Sequence, residues 1–200
     1  MIRTVTLFAF AVSLLTLPPT ASAINTVDSL DVSKYLGKWY QVYGNYLSDL
    51  LYRPNSTCVA ADYGLDEATG NITVINSSRL QSPTGELNTI SGYSYGTGDN
   101  VPGQRKVHLD GAPGPDGNYW IYGLGPETFG PDSLYEWSIV SGSNEAFLFV
   151  LARDVEEFDE FYNEEVLQLV NDFGFTGPWR EPRRYEQEGC LPFDPSVDPY

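Results

Sequence analysis

The run Leu134-Tyr135-Glu136-Trp137-Ser138-Ile139-Val140-Ser141, the break Gly142-Ser143-Asn144, and the run Ala146-Phe147-Leu148-Phe149-Val150-Leu151-Ala152-Arg153 decide the fold. Both runs are rich in β-branched and aromatic residues, and the small polar break between them has hairpin composition. Working outward toward the N-terminus, six more runs of the same kind occur: Trp39–Asn45, Cys58–Leu65, Asn71–Ser77, Asn88–Tyr95, Gln104–Leu109 and Tyr119–Leu124. Gly, Pro, Asn and Asp fill the breaks, as in Asp66-Glu67-Ala68-Thr69-Gly70 and Gly125–Asp132. Eight strands at this spacing predict an all-β fold, an antiparallel up-and-down meander. Closing it into an eight-stranded barrel removes the exposed edges.

Working outward toward the C-terminus, the period changes. Phe158, Phe161, Tyr162, Val166, Leu169, Val170 and Phe173 recur at helical spacing and predict one helix with an apolar stripe, packed on the outside of the barrel. Asp154 is placed to cap its start, acids follow in its opening turns, and Gly174 stands at its end. Asp31 to Gly37 reads as a short capped turn feeding the first strand. The stretch from Pro178 to Pro192 reads as an extended, Pro-interrupted return.

The first residues carry an address. Arg3 precedes an apolar run from Val5 to Leu17, and Ala21-Ser22-Ala23 supplies the small residues of a signal-peptidase site. Residues 1–23 are therefore expected to be a signal peptide, 24–193 a single domain and 194–200 an acidic tail with little to hold it. The apolar run is shorter than the ~20 residues a membrane-spanning helix needs, and no later stretch is apolar enough, so stable membrane insertion is not expected. The chain has 11 Lys+Arg against 27 Asp+Glu, a net charge of -16, which repels phosphate backbones and argues against nucleic acid.

Cys58 and Cys190 are the only cysteines. In an oxidising compartment such a pair is read first as one disulfide, which would leave no thiol for catalysis. With a signal peptide upstream, the sequons at Asn55, Asn71 and Asn76 become candidate glycosylation sites on a secreted, extracellular protein. His108 is the only histidine, and no local spacing supplies metal ligands, a nucleophile elbow or a phosphate loop. No metal, cofactor or catalytic residue is expected.

At Gly37-Lys38-Trp39-Tyr40 the sequence resembles the Gly-x-Trp motif that opens the first strand of lipocalins. Phe147 to Asp154 resembles the last-strand motif of the same family, whose arginine packs across that tryptophan. Trp39 and Arg153 are thereby implied as the barrel-closing pair, and a guanidinium over an indole gains cation–π energy. Cys58-Val59-Ala60-Ala61-Asp62-Tyr63 and Tyr119-Trp120-Ile121 are similar to the second and sixth strands of the apolipoprotein D and bacterial outer-membrane branches. One departure occurs: the family's Thr-Asp-Tyr-like turn is replaced by Gly125–Asp132, so a receptor-docking role of that region is not carried over.

The resemblance implies a small hydrophobic ligand inside the barrel. Strand alternation assigns its lining to Val59, Ala61 and Tyr63, to Tyr135 and Trp137, and to Phe147 and Phe149. On the sixth strand Tyr119 and Ile121 are assigned inward, although Trp120 and Tyr122 are equally apolar. Tyrosine hydroxyls suit a cavity that orients one polar end of an apolar molecule. No assigned position is charged, so a carboxylate would need Arg53 or Arg79 to reach in from the open-end loops. Neutral lipids, sterols or retinoids fit better. Two other functions stay open: a lipocalin-fold enzyme acting on a lipid or pigment, and a scavenger of small amines, for which Asp62 falls on the wrong face. The ligand's identity and the oligomeric state are not set by the sequence.

Overall fold

The computed structural model describes residues 25–50, 55–98 and 101–195. The expected signal peptide, Arg53 and the last five residues of the tail lie outside them. Strands β1 (Gly37–Gly44), β2 (Ser56–Asp66), β3 (Asn71–Leu80), β4 (Leu87–Gly96), β5 (Gln104–Leu109) and β6 (Gly117–Leu124) form the first part of the meander. A small hairpin follows, β7 (Glu127–Phe129) and β8 (Leu134–Tyr135), then β9 (Trp137–Ser141), β10 (Phe149–Ala152) and a short β11 (Arg183–Arg184). Each of the eight main strands pairs antiparallel with its neighbour, and β10 returns to β1 through Tyr40↔Ala152 and Gly44↔Phe149. The barrel is closed, as the alternation and spacing predicted.

Alternation splits the apolar residues into two cores. The inner one holds Trp39, Ala61, Tyr63, Ile72, Val74, Ile121, Val140 and Leu151. The outer one holds Tyr122, Trp137, Ile139, Leu148, Val150 and Ala152 on the barrel side, with Phe158, Val166 and Val170 from the helical segment and Phe175 just after it. That segment runs through α3 (Val155–Glu157), a π turn (Phe158–Tyr162) and α4 (Asn163–Asp172), so it covers one side of the barrel wall. Asp154 caps it, accepting from the Glu157 amide at 2.9 Å, and Gly174 follows in the left-handed conformation at φ 77°.

The expected stripe is altered at one position. Phe161 is 63% exposed while Phe158 is buried. The π turn inserts an extra residue into the helical repeat and rotates the following face, which regular 3.6-residue counting misses. The seventh strand also differs. The chain bends at Glu136 between β8 and β9, so Tyr135 joins the inner core and Trp137 the outer one. Trp137 is therefore not a cavity residue; Ser138 and Val140 take the inward positions.

The closed end is built by the N-terminal turn. Helix α1 (Val32–Tyr35) is capped by Asp31 and delivers the fully buried Tyr35 beneath the barrel. Arg153 lies over the Trp39 ring at 3.7 Å and donates to the carbonyls of Lys38 (2.8 Å), Lys34 (3.0 Å) and Tyr135 (3.3 Å). The replaced family turn became the β7–β8 hairpin, which pairs Glu127 with Lys34 of this floor.

On the outer face, Cys58 and Cys190 form a disulfide with Cα atoms 5.8 Å apart, pinning the C-terminal strap to β2. Gln187 ties the strap further, donating to the carbonyls of Gln41 and Val59 at 2.8 Å. The bridge spans 132 residues of chain.

Two stability outcomes follow from this architecture. Arg153→Ala leaves three carbonyls without their donor, one buried and two part-buried, removes the cation–π contact, and should lower unfolding free energy by about 3 kcal/mol in urea titration. Replacing both cysteines by serine should cost about 2–4 kcal/mol in the same assay, because the long loop is released in the unfolded chain.

Candidate functional site

The inner wall changes character along the barrel axis. Near the closed end a chain of hydroxyls links four residues: Ser138 Oγ lies 3.0 Å from Tyr35 Oη, which lies 2.7 Å from Tyr119 Oη, which lies 3.1 Å from Tyr63 Oη. The three rings also meet edge-on or stacked, with centroids 5.8 to 6.5 Å apart. Burial pushes the Tyr35 hydroxyl up to about 12, and burial raises Tyr119 well above its ordinary value. Both hydroxyls therefore stay protonated at any physiological pH and can donate.

Beyond this cluster the wall turns apolar. Val107, Leu109 and Phe149 belong to the inner core yet remain only half-buried, as does Tyr119. These are the inward apolar side chains least covered by their neighbours. An eight-stranded barrel has room for side chains or one small ligand.

The sequence-assigned residues divide on this wall. Ala61, Tyr63, Tyr119, Ile121, Tyr135 and Phe149 come together in the inner core. Tyr119 and Ile121 face in while Trp120 and Tyr122 face the helix, which resolves the two-sided sixth strand. Val59 is buried in a β2 irregularity beside the strap and Phe147 sits in the loop before β10, so neither belongs to that cluster. Trp137 lies outside, against the helix.

Asn76 is half-buried, in register with Ala61 and on the face of β3 that carries Ile72 and Val74. Asn71 begins β3 on the other face, and Asn55 is exposed in a turn.

One inward residue was missed. Arg105 is 8% exposed, occupies the same face of β5 as Val107 and Leu109, and stands directly across from Tyr119 on β6. Its Nε donates to Ser94 Oγ at 3.1 Å and its Nη2 to the Ser94 carbonyl at 3.0 Å. No carboxylate among the described residues pairs with it. Desolvation lowers its pKa from the usual guanidinium value. The signal was present: alternation from Val107 and Leu109 reaches Arg105, but the charge argues for an outward side chain unless the strand's register is known.

The remaining candidates lie outside the lumen. Arg79 points to the strap, donating to the carbonyls of Leu191 (3.3 Å) and Pro192 (3.1 Å). Asp62 is on the outer face, 3.1 Å from Lys38. His108 alternates outward, with Nδ1 2.8 Å from Asp116 and its ring stacked on Tyr93. A separate groove of about 720 Å³ runs between the outer wall and the strap, lined by Lys38, Tyr40, Asp62, Arg79, Gln187 and Phe193 among others.

Comparison with known proteins agrees with this architecture. A family model described as a lipocalin-like domain matches residues 30–178. The outer membrane lipoprotein Blc of Citrobacter freundii is 27% identical over 168 residues, covering 84% of this chain and 86% of that protein. Apolipoprotein D of Rattus norvegicus is 30% identical over 102 residues, about half of each chain (51% and 50%). Among solved structures, insecticyanin from the tobacco hornworm Manduca sexta superposes with a TM-score of 0.57 at 13% identity, covering 90% of both chains. The cockroach allergen Per a 4 superposes at 0.54 with 20% identity, covering 81% of this chain and 90% of that one. The closed eight-stranded barrel, the Trp39–Arg153 floor and the match over most of the chain lead to one conclusion: this protein belongs to the lipocalin family.

Proposed function

We propose that this chain is a secreted, extracellular carrier that binds one small hydrophobic ligand in the barrel lumen. The observation that carries this reading is the half-buried apolar wall of Val107, Leu109 and Phe149 above a floor of tyrosine hydroxyls. Apolar walls with a few convergent polar groups are what small-molecule sites need. Tyr63, Tyr119, Ile121 and Phe149 are the residues proposed to contact the ligand. Ala61 and Tyr135 serve the packing around it, Phe147 stands near its entrance, and Val59 lies beside the strap.

Binding is favoured over catalysis on chemical grounds. Both thiols are consumed in the disulfide, and the single histidine lies on the outer face away from the lumen. An amine scavenger would need an inward carboxylate. The buried charged residues among those described are Arg105, Arg153 and Glu136, and Glu136 sits by the closed-end hairpin, bonded to Thr128 at 2.6 Å. Its acidic surface is read as a solubility feature rather than a recognition surface.

Mass spectrometry of an organic extract of the purified mature protein is expected to release a lipid or pigment at up to one equivalent. A tightly held amine, or turnover of a bound lipid, would overturn the carrier reading. Phe149→Ala should weaken uptake of a lumen-binding fluorescent lipid by about tenfold, the effect of losing one ring contact. Glycopeptide mapping after secretion from animal cells should find glycan at Asn55 or Asn71 and none at Asn76.

A further inference from the structure

Arg105 is the one feature of the lumen that a carrier of neutral lipids does not explain. Its guanidinium has five N–H donors, and two of them are engaged with Ser94. Nη1 has no hydrogen-bond partner among the described residues. Arg153, the other buried arginine, is used differently: its three contacts go to backbone carbonyls, it stacks on Trp39, and the Glu136 carboxylate contributes to its electrostatic surroundings. Burying a cation costs several kcal/mol unless an anion or a full set of acceptors accompanies it. Arg153 has such a set. Arg105 lacks an anion, and no floor carbonyl needs its donors.

Position narrows what would complete it. Tyr119 stands directly across the β5–β6 ladder from Arg105, a placement that brings opposed side chains to within about 5 Å at Cβ. Tyr119 is hydrogen-bonded in turn to Tyr35 and Tyr63. A guanidinium fork beside protonated phenols is a donor array for a planar or tetrahedral oxyanion. Up the same face of β5 come Val107 and Leu109, both apolar and half-buried. The order along this wall is cation, hydroxyl, then hydrocarbon.

Resting on the carrier reading, we infer that the ligand is a single-chain amphiphile with an anionic head held by Arg105 and the Tyr119 hydroxyl, its tail lying along Val107, Leu109 and Phe149. This replaces the expectation of a neutral ligand, which rested on an uncharged lumen. A fatty-acid carboxylate and an alkyl phosphate present the same chemistry to this site, and the test separates them.

Delipidated mature protein is titrated by calorimetry with four probes of one chain length: hexadecanoate, hexadecyl phosphate, hexadecanol and methyl hexadecanoate. The expected result is that at least one anion binds roughly tenfold or more tighter than the alcohol and the ester, the effect of a charge-assisted hydrogen bond in a desolvated site. The tighter anion names the head group. Arg105→Met should bring that anion down to the affinity of the alcohol. Its ligand-free melting temperature should hold or rise, because an uncompensated buried charge has been replaced by hydrocarbon. Equal binding of all four probes would overturn the anionic head and leave the carrier reading standing. Binding of none would overturn the carrier reading itself. A fall in the ligand-free melting temperature of Arg105→Met, with the wild-type protein showing no anion preference, would make Arg105 a structural residue.

Discussion

Everything in this barrel depends on how its lower end is closed. Arg153 extends from the end of β10, covers the Trp39 indole of β1 and holds carbonyls from the N-terminal turn and the β8 end. One side chain thus joins the first strand, the last strand and the plug beneath them. Burial lowers its pKa to about 10, still well above physiological pH, so the cation persists where the contact needs it. With that end sealed, the β1–β10 pairing completes the sheet and closes the barrel.

Closure also determines how the two cores divide the work. The outer core packs the helical segment onto the wall, and its few polar atoms include the Tyr122 hydroxyl, which donates to the Gly142 carbonyl at 3.1 Å. The inner core mixes rings with hydroxyls and includes the half-buried Val107, Leu109 and Phe149. A fully packed interior would be more stable and could hold nothing. The strap gains its hold on β1 and β2 through the disulfide, Gln187 and the β11 pairing. The disulfide and the Trp39–Arg153 floor are therefore distinct from the residues proposed to contact the ligand.

How much of this was legible in the sequence depends on whether a feature obeys a local period. The eight strands, the helix cap at Asp154 and the cysteine pair follow from alternation, capping chemistry and compartment. Trp137 was misplaced because the bend at Glu136 reverses the face on which the following residues lie, and no local composition announces it. Phe161 failed for the analogous reason in a helix, where the π turn shifts the phase. Arg105 was passed over because charge is a good guide to exposure except where a buried ion has a task. The Tyr35–Tyr119–Tyr63 cluster joins three distant segments and becomes visible only once the barrel is closed.

The central claim is that the lumen, rather than the outer groove beneath the strap, is the binding site, and that its charged base orients the ligand. A crystal structure of the protein saturated with hexadecanoate tests this most directly. The account predicts density for the head within hydrogen-bonding distance of the Arg105 guanidinium and for the tail running past Phe149 toward the open end. Density in the groove lined by Tyr40, Arg79 and Phe193, with an unoccupied lumen, would contradict it.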